Sequence, residues 1–303
     1  SFYWAQGVAS RIMRPMHSTL ISAIELQALL SRGPAPLVFD CSFDLMNPAA
    51  GAEQFRQGHI PGARHAHLDH DLSAHDGAPC ASGGRHPLPT REAFAAWLAA
   101  CGLQADQQVV VYDRQGANYC GRLWWMLKWC GHEAVAVLDG GLSAWLAIGG
   151  PVDAGLPPPA QPGNFALQVS RAPVVGAAEL ARRLGHPAQT VLDARAAARF
   201  RGEVEPLDPV AGHIPGALNR PFTDNLGPDG HFKPADQLRT EFERLLAGRD
   251  PASVVHHCGS GVSAVPNLLA MEVAGLGRAA LFPGSWSEWC NTPGLPCARA
   301  QVG

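Results

Sequence analysis

The hexapeptide Gly58-His59-Ile60-Pro61-Gly62-Ala63 returns as Gly212-His213-Ile214-Pro215-Gly216-Ala217. One copy alone would mean only a turn, because adjacent proline and glycine mark one. Two copies mean more, because their surroundings repeat in the same order. Each follows a short apolar strand ending in aspartate, Leu37-Val38-Phe39-Asp40 and Thr190-Val191-Leu192-Asp193. Val109-Val110-Val111-Tyr112-Asp113 then corresponds to Val254-Val255-His256-His257-Cys258. Leu138-Asp139-Gly140-Gly141-Leu142 with Trp145 corresponds to Phe282-Pro283-Gly284-Ser285-Trp286 with Trp289. Ordered counterparts at similar separations imply a duplicated domain, and 303 residues suffice for two.

Within each half, short apolar strands alternate with helical patterns. Arg91 to Cys101, Arg122 to Cys130 and Ala235 to Leu246 each place apolar residues on one helical face. Such alternation implies right-handed βαβ units, a mostly parallel sheet, and ligands beyond the carboxyl ends of the strands. The expected organisation is an N-terminal half over 16–150, a linker over 151–171 and a C-terminal half over 172–303. The linker follows from Pro157-Pro158-Pro159 and Pro162, since proline suits neither a helix interior nor a central strand. Residues 1–15 read as an extension upstream of a natural start at Met16.

Composition narrows the function. A net charge of −3 offers no footprint for nucleic acid, and no apolar run is long enough to span a membrane. The eight cysteines contain no CxxC pair, which argues against zinc and thioredoxin-like chemistry and for a reducing, cytoplasmic setting. His65, His67, Asp69, His70 and Asp71 crowd one stretch but lack a defined ligand spacing, so a solvated loop is favoured over a metal site. No metal and no cofactor are expected. Trp124, Trp125, Trp286 and Trp289 read as packing residues, and the cysteines other than Cys258 as packing residues or unremarkable thiols.

Cys258 stands apart because of its place in the chain. The strand Val254–His257 leads into Cys258-Gly259-Ser260-Gly261-Val262-Ser263, and a helix-forming run extends from Ser263 to Ala274. A Gly-rich loop opening into a helix points several N–H groups, and the positive end of the helix dipole, at one spot. A thiolate held there would be a stabilised nucleophile. The first half has Asp113 at the matching place, which cannot attack sulfur.

These features together, the tandem βα units, the paired hexapeptides and the loop cysteine, resemble the tandem-domain rhodanese family, in its 3-mercaptopyruvate sulfurtransferase type. The resemblance implies an α/β fold of two rhodanese-like domains, each a mostly parallel five-stranded sheet flanked by helices. It also implies an inactive N-terminal copy, a catalytic C-terminal copy and an active site between them. Thiosulfate-using members tend to carry cations in the cysteine loop, and the loop here has none. By the same resemblance Cys258 accepts the sulfur, and Ser260, His86 and Asp69 relay a proton. Arg199 and the loop residues Gly259, Gly261, Val262 and Ser263 bind the substrate. One position departs: Glu205-Pro206 is followed by Leu207 where the type has a second arginine. Arg201, Arg195 and Arg220 are candidates to replace it.

The implied reaction moves the sulfur of 3-mercaptopyruvate through a Cys258 persulfide to cyanide, a small thiol or a thioredoxin-like protein, releasing pyruvate. Thiosulfate as donor is the alternative. A phosphatase is disfavoured because the loop lacks the arginine that neutralises phosphate, and a non-catalytic persulfide carrier because the cysteine loop is intact.

Overall fold

The computed structural model describes residues 16–300. The extension expected over 1–15 lies outside them. The first half runs β1 (Leu20–Ile21), α1 (Ala23–Arg32), β2 (Leu37–Asp40), α2 (Ala50–Gln57), β3 (Arg64–His65), α3 (Arg91–Ala100), β4 (Val109–Tyr112), α4 (Cys120–Trp129), β5 (Val135–Leu138) and α5 (Gly141–Ala147). Its five strands are all parallel, in the order β1-β5-β4-β2-β3.

The second half runs α6 (Ala177–Arg182), β6 (Thr190–Asp193), α7 (Ala197–Arg201), β7 (Leu218–Asn219), α8 (Ala235–Leu246), β8 (Val254–His257), α9 (Val265–Val273), β9 (Ala280–Leu281) and α10 (Ser285–Trp289). Its parallel sheet has the order β7-β6-β8-β9. A single parallel bridge from Val174 to Leu281 occupies the edge where β1 lies in the first half, so the fifth strand is reduced to one residue pair. Strands buried on both faces read as apolar runs, which is why β2, β4 and β5 stand out in the sequence.

The repeated hexapeptide does more than turn. His59 stacks on Phe55 at 3.9 Å and its Nδ1 lies 2.8 Å from the Phe55 carbonyl. His213 repeats this on Phe200, at 3.9 Å and 2.7 Å. Ile60 and Ile214 are fully buried, and Gly62 and Gly216 share a φ of +78°, which a side chain disfavours. Each hexapeptide thus fastens a helix end to its sheet.

One continuous apolar cluster joins the halves. It contains Leu123, Trp124 and Leu127 of α4 and Val265, Leu268 and Leu269 of α9. A Cβ on Gly121 would lie only 3.3 Å from Val265, so the two helices meet closely at their N-terminal ends. The carboxyl ends of β4 and β8 therefore face a shared seam. Trp124, Trp125, Trp286 and Trp289 are all fully buried, as packing requires. The proline-rich segment is extended yet strapped to the first half: Gly163 N–H donates to Ala99, Phe165 N–H to Leu103, and the Phe165 side chain joins the core. Among the remaining cysteines, Cys41, Cys120 and Cys130 are buried, whereas Cys80 and Cys297 are exposed.

His256 breaks the apolar rule of its strand. It is fully buried, neither ring nitrogen has a hydrogen-bond partner among the described residues, and burial pushes its pKa down to about 3. With a folded-state value below the ordinary 6.5, the unfolded chain binds the proton first as pH falls. Stability that is complete above pH 6.5 is then lost toward about 3. We expect His256→Leu to stabilise the protein by about 1–3 kcal/mol and to flatten its acid limb in urea unfolding measured across pH. An acid limb as steep as that of the wild type would contradict this account.

Candidate active site

Cys258 directly follows β8 and is 1% exposed. The Gly261 N–H points at its sulfur, 3.2 Å away, and α9 begins at Val265 with no side-chain cap. Gly261 has φ +83°, and a Cβ there would run into the Pro283 carbonyl oxygen. Glycine is required on both counts. The loop is held from α10: Cys258 N–H donates to Ser285 Oγ at 3.1 Å, and Trp286 N–H and Ser287 N–H donate to the carbonyls of Cys258 and Gly259, each at 2.9 Å.

Ser285 is a functional position that the sequence reading passed over. Its counterpart Gly141 has φ +59°, and Ser285 keeps nearly the same left-handed backbone, φ +56°. A buried serine in that conformation carries strain of about 1 kcal/mol or more. Its hydroxyl, which also donates to the Phe282 carbonyl, is what the second half gains in exchange.

The first half shows what the loop amides do when aspartate takes the place of Cys258. Asp113 Oδ1 accepts from the N–H groups of Gln115 and Ala117 at 2.9 and 3.0 Å. Its Oδ2 accepts from Tyr119 and Cys120, both at 2.9 Å. The cradle is occupied by the chain's own carboxylate. Cys41, Cys101, Cys120, Cys130 and Cys290 are held as thiols by burial, with Cys101 and Cys130 pushed up to about 12 and Cys290 to about 11.

The structure brings Ser260, His86 and Asp69 together across the seam. Ser260 Oγ lies 2.7 Å from His86 Nδ1, and His86 Nε2 lies 3.4 Å from Asp69 Oδ1. Burial pushes the His86 pKa below 6.5, against the opposing pull of Asp69, so the ring is neutral at pH 7. The two contacts are best satisfied with Nδ1 accepting the serine hydroxyl and Nε2–H facing the carboxylate. Asp69 is held below its ordinary value first by its contact with His86. The other residues of its stretch stay outside the contact with His86: His67 accepts the Asp69 N–H at 3.1 Å and stacks on His70 at 4.1 Å, and Asp71 accepts the His67 N–H. Among the described residues no group of three or more such side chains could hold a metal ion.

Ser263 donates to Asn118 Oδ1 at 2.6 Å, a second link across the seam, and Val262 is buried beneath the loop. Arg122, also missed, is fully buried on α4 and donates to the carbonyls of Leu72 and His86, at 2.9 and 2.7 Å. Burial lowers its pKa to about 10, and the Cys258 sulfur pulls the other way. It is therefore a charged group behind the loop, read from sequence only as part of a helix.

Arg199, on α7, reaches the loop: a Cβ on Gly259 would lie 3.5 Å from its Nη1. Its Nη2 donates to Glu205 Oε1 at 2.8 Å and lies 3.5 Å from Asp208. Burial alone would raise the Glu205 carboxyl, but Arg199 and the N–H groups of Leu207 and Asp208 hold it below its ordinary value. Leu207 carries no charge toward the loop. None of the three expected replacements is available either. Arg195 is spent on Asp193, Gly212 and Glu205, Arg201 on the exposed Glu203, and Arg220 on Asn225, Asp224 and Glu241. Each already has a partner that its fold position supplies.

The fold and site are those of a tandem parallel α/β protein with a loop cysteine at the seam between its halves. The rhodanese-like domain family matches residues 22–148 and 176–292, and the chain belongs to the rhodanese family. It is 48% identical over 285 residues to a probable 3-mercaptopyruvate sulfurtransferase of Pseudomonas aeruginosa, covering 93% of this chain and 98% of that one. It is 40% identical to a putative thiosulfate sulfurtransferase of Mycobacterium tuberculosis, covering 96% and 100%. Its structure resembles that of the 3-mercaptopyruvate sulfurtransferase from Leishmania major, with a TM-score of 0.79, 29% identity, and coverage of 93% and 77%.

The loop geometry yields a direct expectation. Gly261→Ala should lower stability by about 1–3 kcal/mol and slow iodoacetamide alkylation of Cys258 about tenfold, because the amide is displaced from the sulfur. An unchanged urea midpoint with unchanged alkylation would contradict it.

Proposed function

We propose that the protein is a sulfurtransferase that takes sulfur from 3-mercaptopyruvate, with residues 172–303 as the catalytic half and 16–150 as the half that completes its site. Cys258 thiolate attacks the donor sulfur. The carbon–sulfur bond breaks, and its electron pair passes to the carbon as the enolate of pyruvate. The donor's thiol proton then goes to that carbon, leaving Cys258 as a persulfide anion and pyruvate as product. Cyanide, a small thiol or a thioredoxin-like protein next takes the outer sulfur and returns the thiolate.

The observation that carries this reading is the contact of Ser260 with neutral His86, backed by Asp69. An enolate must be protonated, and this chain of groups can pass the proton. Thiosulfate has no such need, because its leaving group, sulfite, departs as an anion. The second reading, thiosulfate as donor, is favoured by the guanidinium of Arg199 beside Gly259, which suits a dianion. The relay weighs against it, since it would have no task there.

Replacing Ser260 by Ala or His86 by Gln should therefore lower kcat with mercaptopyruvate about 100-fold or more, while turnover of thiosulfate falls far less. Steady-state transfer to cyanide from each donor measures this. Equal losses with both donors would remove the relay, and full activity of Cys258→Ser would remove the whole mechanism.

A further inference from the structure

Leu207 leaves the site one cation short, and the structure supplies another from the opposite half. We propose that Arg85 pairs with Arg199 to bind the donor's carboxylate against Gly259. This deepens the sulfurtransferase reading and rests on it.

Arg85 is fixed at both ends. Its N–H donates to Ser287 Oγ on α10 at 3.0 Å. The preceding Gly84 has φ +87° and lies so close to the Gly284 carbonyl that no side chain fits. The backbone of the first half is thereby pinned to the element that holds the cysteine loop. At the other end, Arg85 Nη1 donates to Asp208, whose carboxylate also faces Arg199.

What remains free is the useful part. Arg85 Nη2 has no hydrogen-bond partner among the described residues, and a Cβ on Gly259 would lie 3.0 Å from it. Arg199 Nη1 is equally free and 3.5 Å from the same point. Glu205 and Asp208 hold the far sides of the two guanidiniums and leave one NH2 edge of each converging beside Gly259, one residue from Cys258. A carboxylate set there would receive a charge-assisted hydrogen bond from each edge. A side chain at 259 would press on both guanidiniums, so glycine there lets them approach the loop. Arg85 also lines, with Ser287 and Glu288, an open cleft of about 400 Å³. The ligand class is an α-keto acid with its thiol one carbon beyond the carbonyl.

The test compares mercaptopyruvate with mercaptoacetone, which has the same thiol and carbonyl but no carboxylate. In Arg85→Leu we expect kcat/KM for mercaptopyruvate to fall roughly 10- to 150-fold, the value of one charge-assisted hydrogen bond, chiefly through KM. Mercaptoacetone turnover should change by less than about threefold. Arg85→Lys should recover part of the loss, and Leu207→Arg added to Arg85→Leu should restore most of it. Equal losses on both donors, or none on either, would overturn the proposal and reduce Arg85 to an interface residue. Calorimetric binding of pyruvate to the wild type and Arg85→Leu reads the clamp without turnover. A wild type inactive on mercaptopyruvate whose pyruvate binding still depends on Arg85 would overturn the donor assignment alone. Binding that ignores Arg85 would overturn the clamp.

Discussion

Everything in this structure depends on where a few backbone amides point. A parallel strand that runs into a tight loop and then a helix leaves several N–H groups without intrahelical partners, and they must be satisfied by something. Both halves build that cradle, and they fill it differently. The first half fills it with Asp113, whose four amide contacts complete the loop and close it to any ligand. The second half puts Cys258 there, with one amide already on the sulfur and the loop clamped by Ser285. Duplication thus kept one loop as architecture and left the other as chemistry.

The cradle alone would be an exposed thiol loop in half of a protein. The facing half makes it a site. Asp69, His86, Arg85, Asn118 and Arg122 all come from the copy that has Asp113 in place of the loop cysteine. Its loss of chemistry therefore did not remove it from the reaction we propose. Along the rim the charges alternate: Arg85, Asp208, Arg199, Glu205, Arg195 and Asp193 form a chain from the seam into the core. Asp208 and Glu205 each lie between two guanidiniums, so buried charges are compensated where they would otherwise be costly. The same chain aims the two arginines at Gly259.

Much of this was legible in the sequence, for physical reasons. Strands buried on both faces read as apolar runs, and tight turns demand glycine and proline, so β2, β4, β6, β8 and both hexapeptides could be placed. Cys258 was legible because it sits between an apolar strand and a Gly-rich loop that opens into a helix, where several amides converge. Ser260, His86 and Asp69 came from resemblance, and their juxtaposition needed the fold, since His86 and Ser260 are far apart in the chain. Arg85, Arg122 and Ser285 were not legible. Arginine and serine carry no local signal of function, and only the packing of one half on the other brings these to the loop. Arg195, Arg201 and Arg220, proposed as stand-ins for the missing arginine, failed for the same reason: each has a local carboxylate partner that sequence spacing did not disclose.

The most direct measurement is the mass of the intact protein and of its Cys258 peptide after incubation with mercaptopyruvate and no acceptor. The account predicts one added sulfur atom per chain, located on Cys258, with one pyruvate released for each and both absent in Cys258→Ser. Sulfur on another cysteine, or pyruvate released with no sulfur left on the protein, would contradict it.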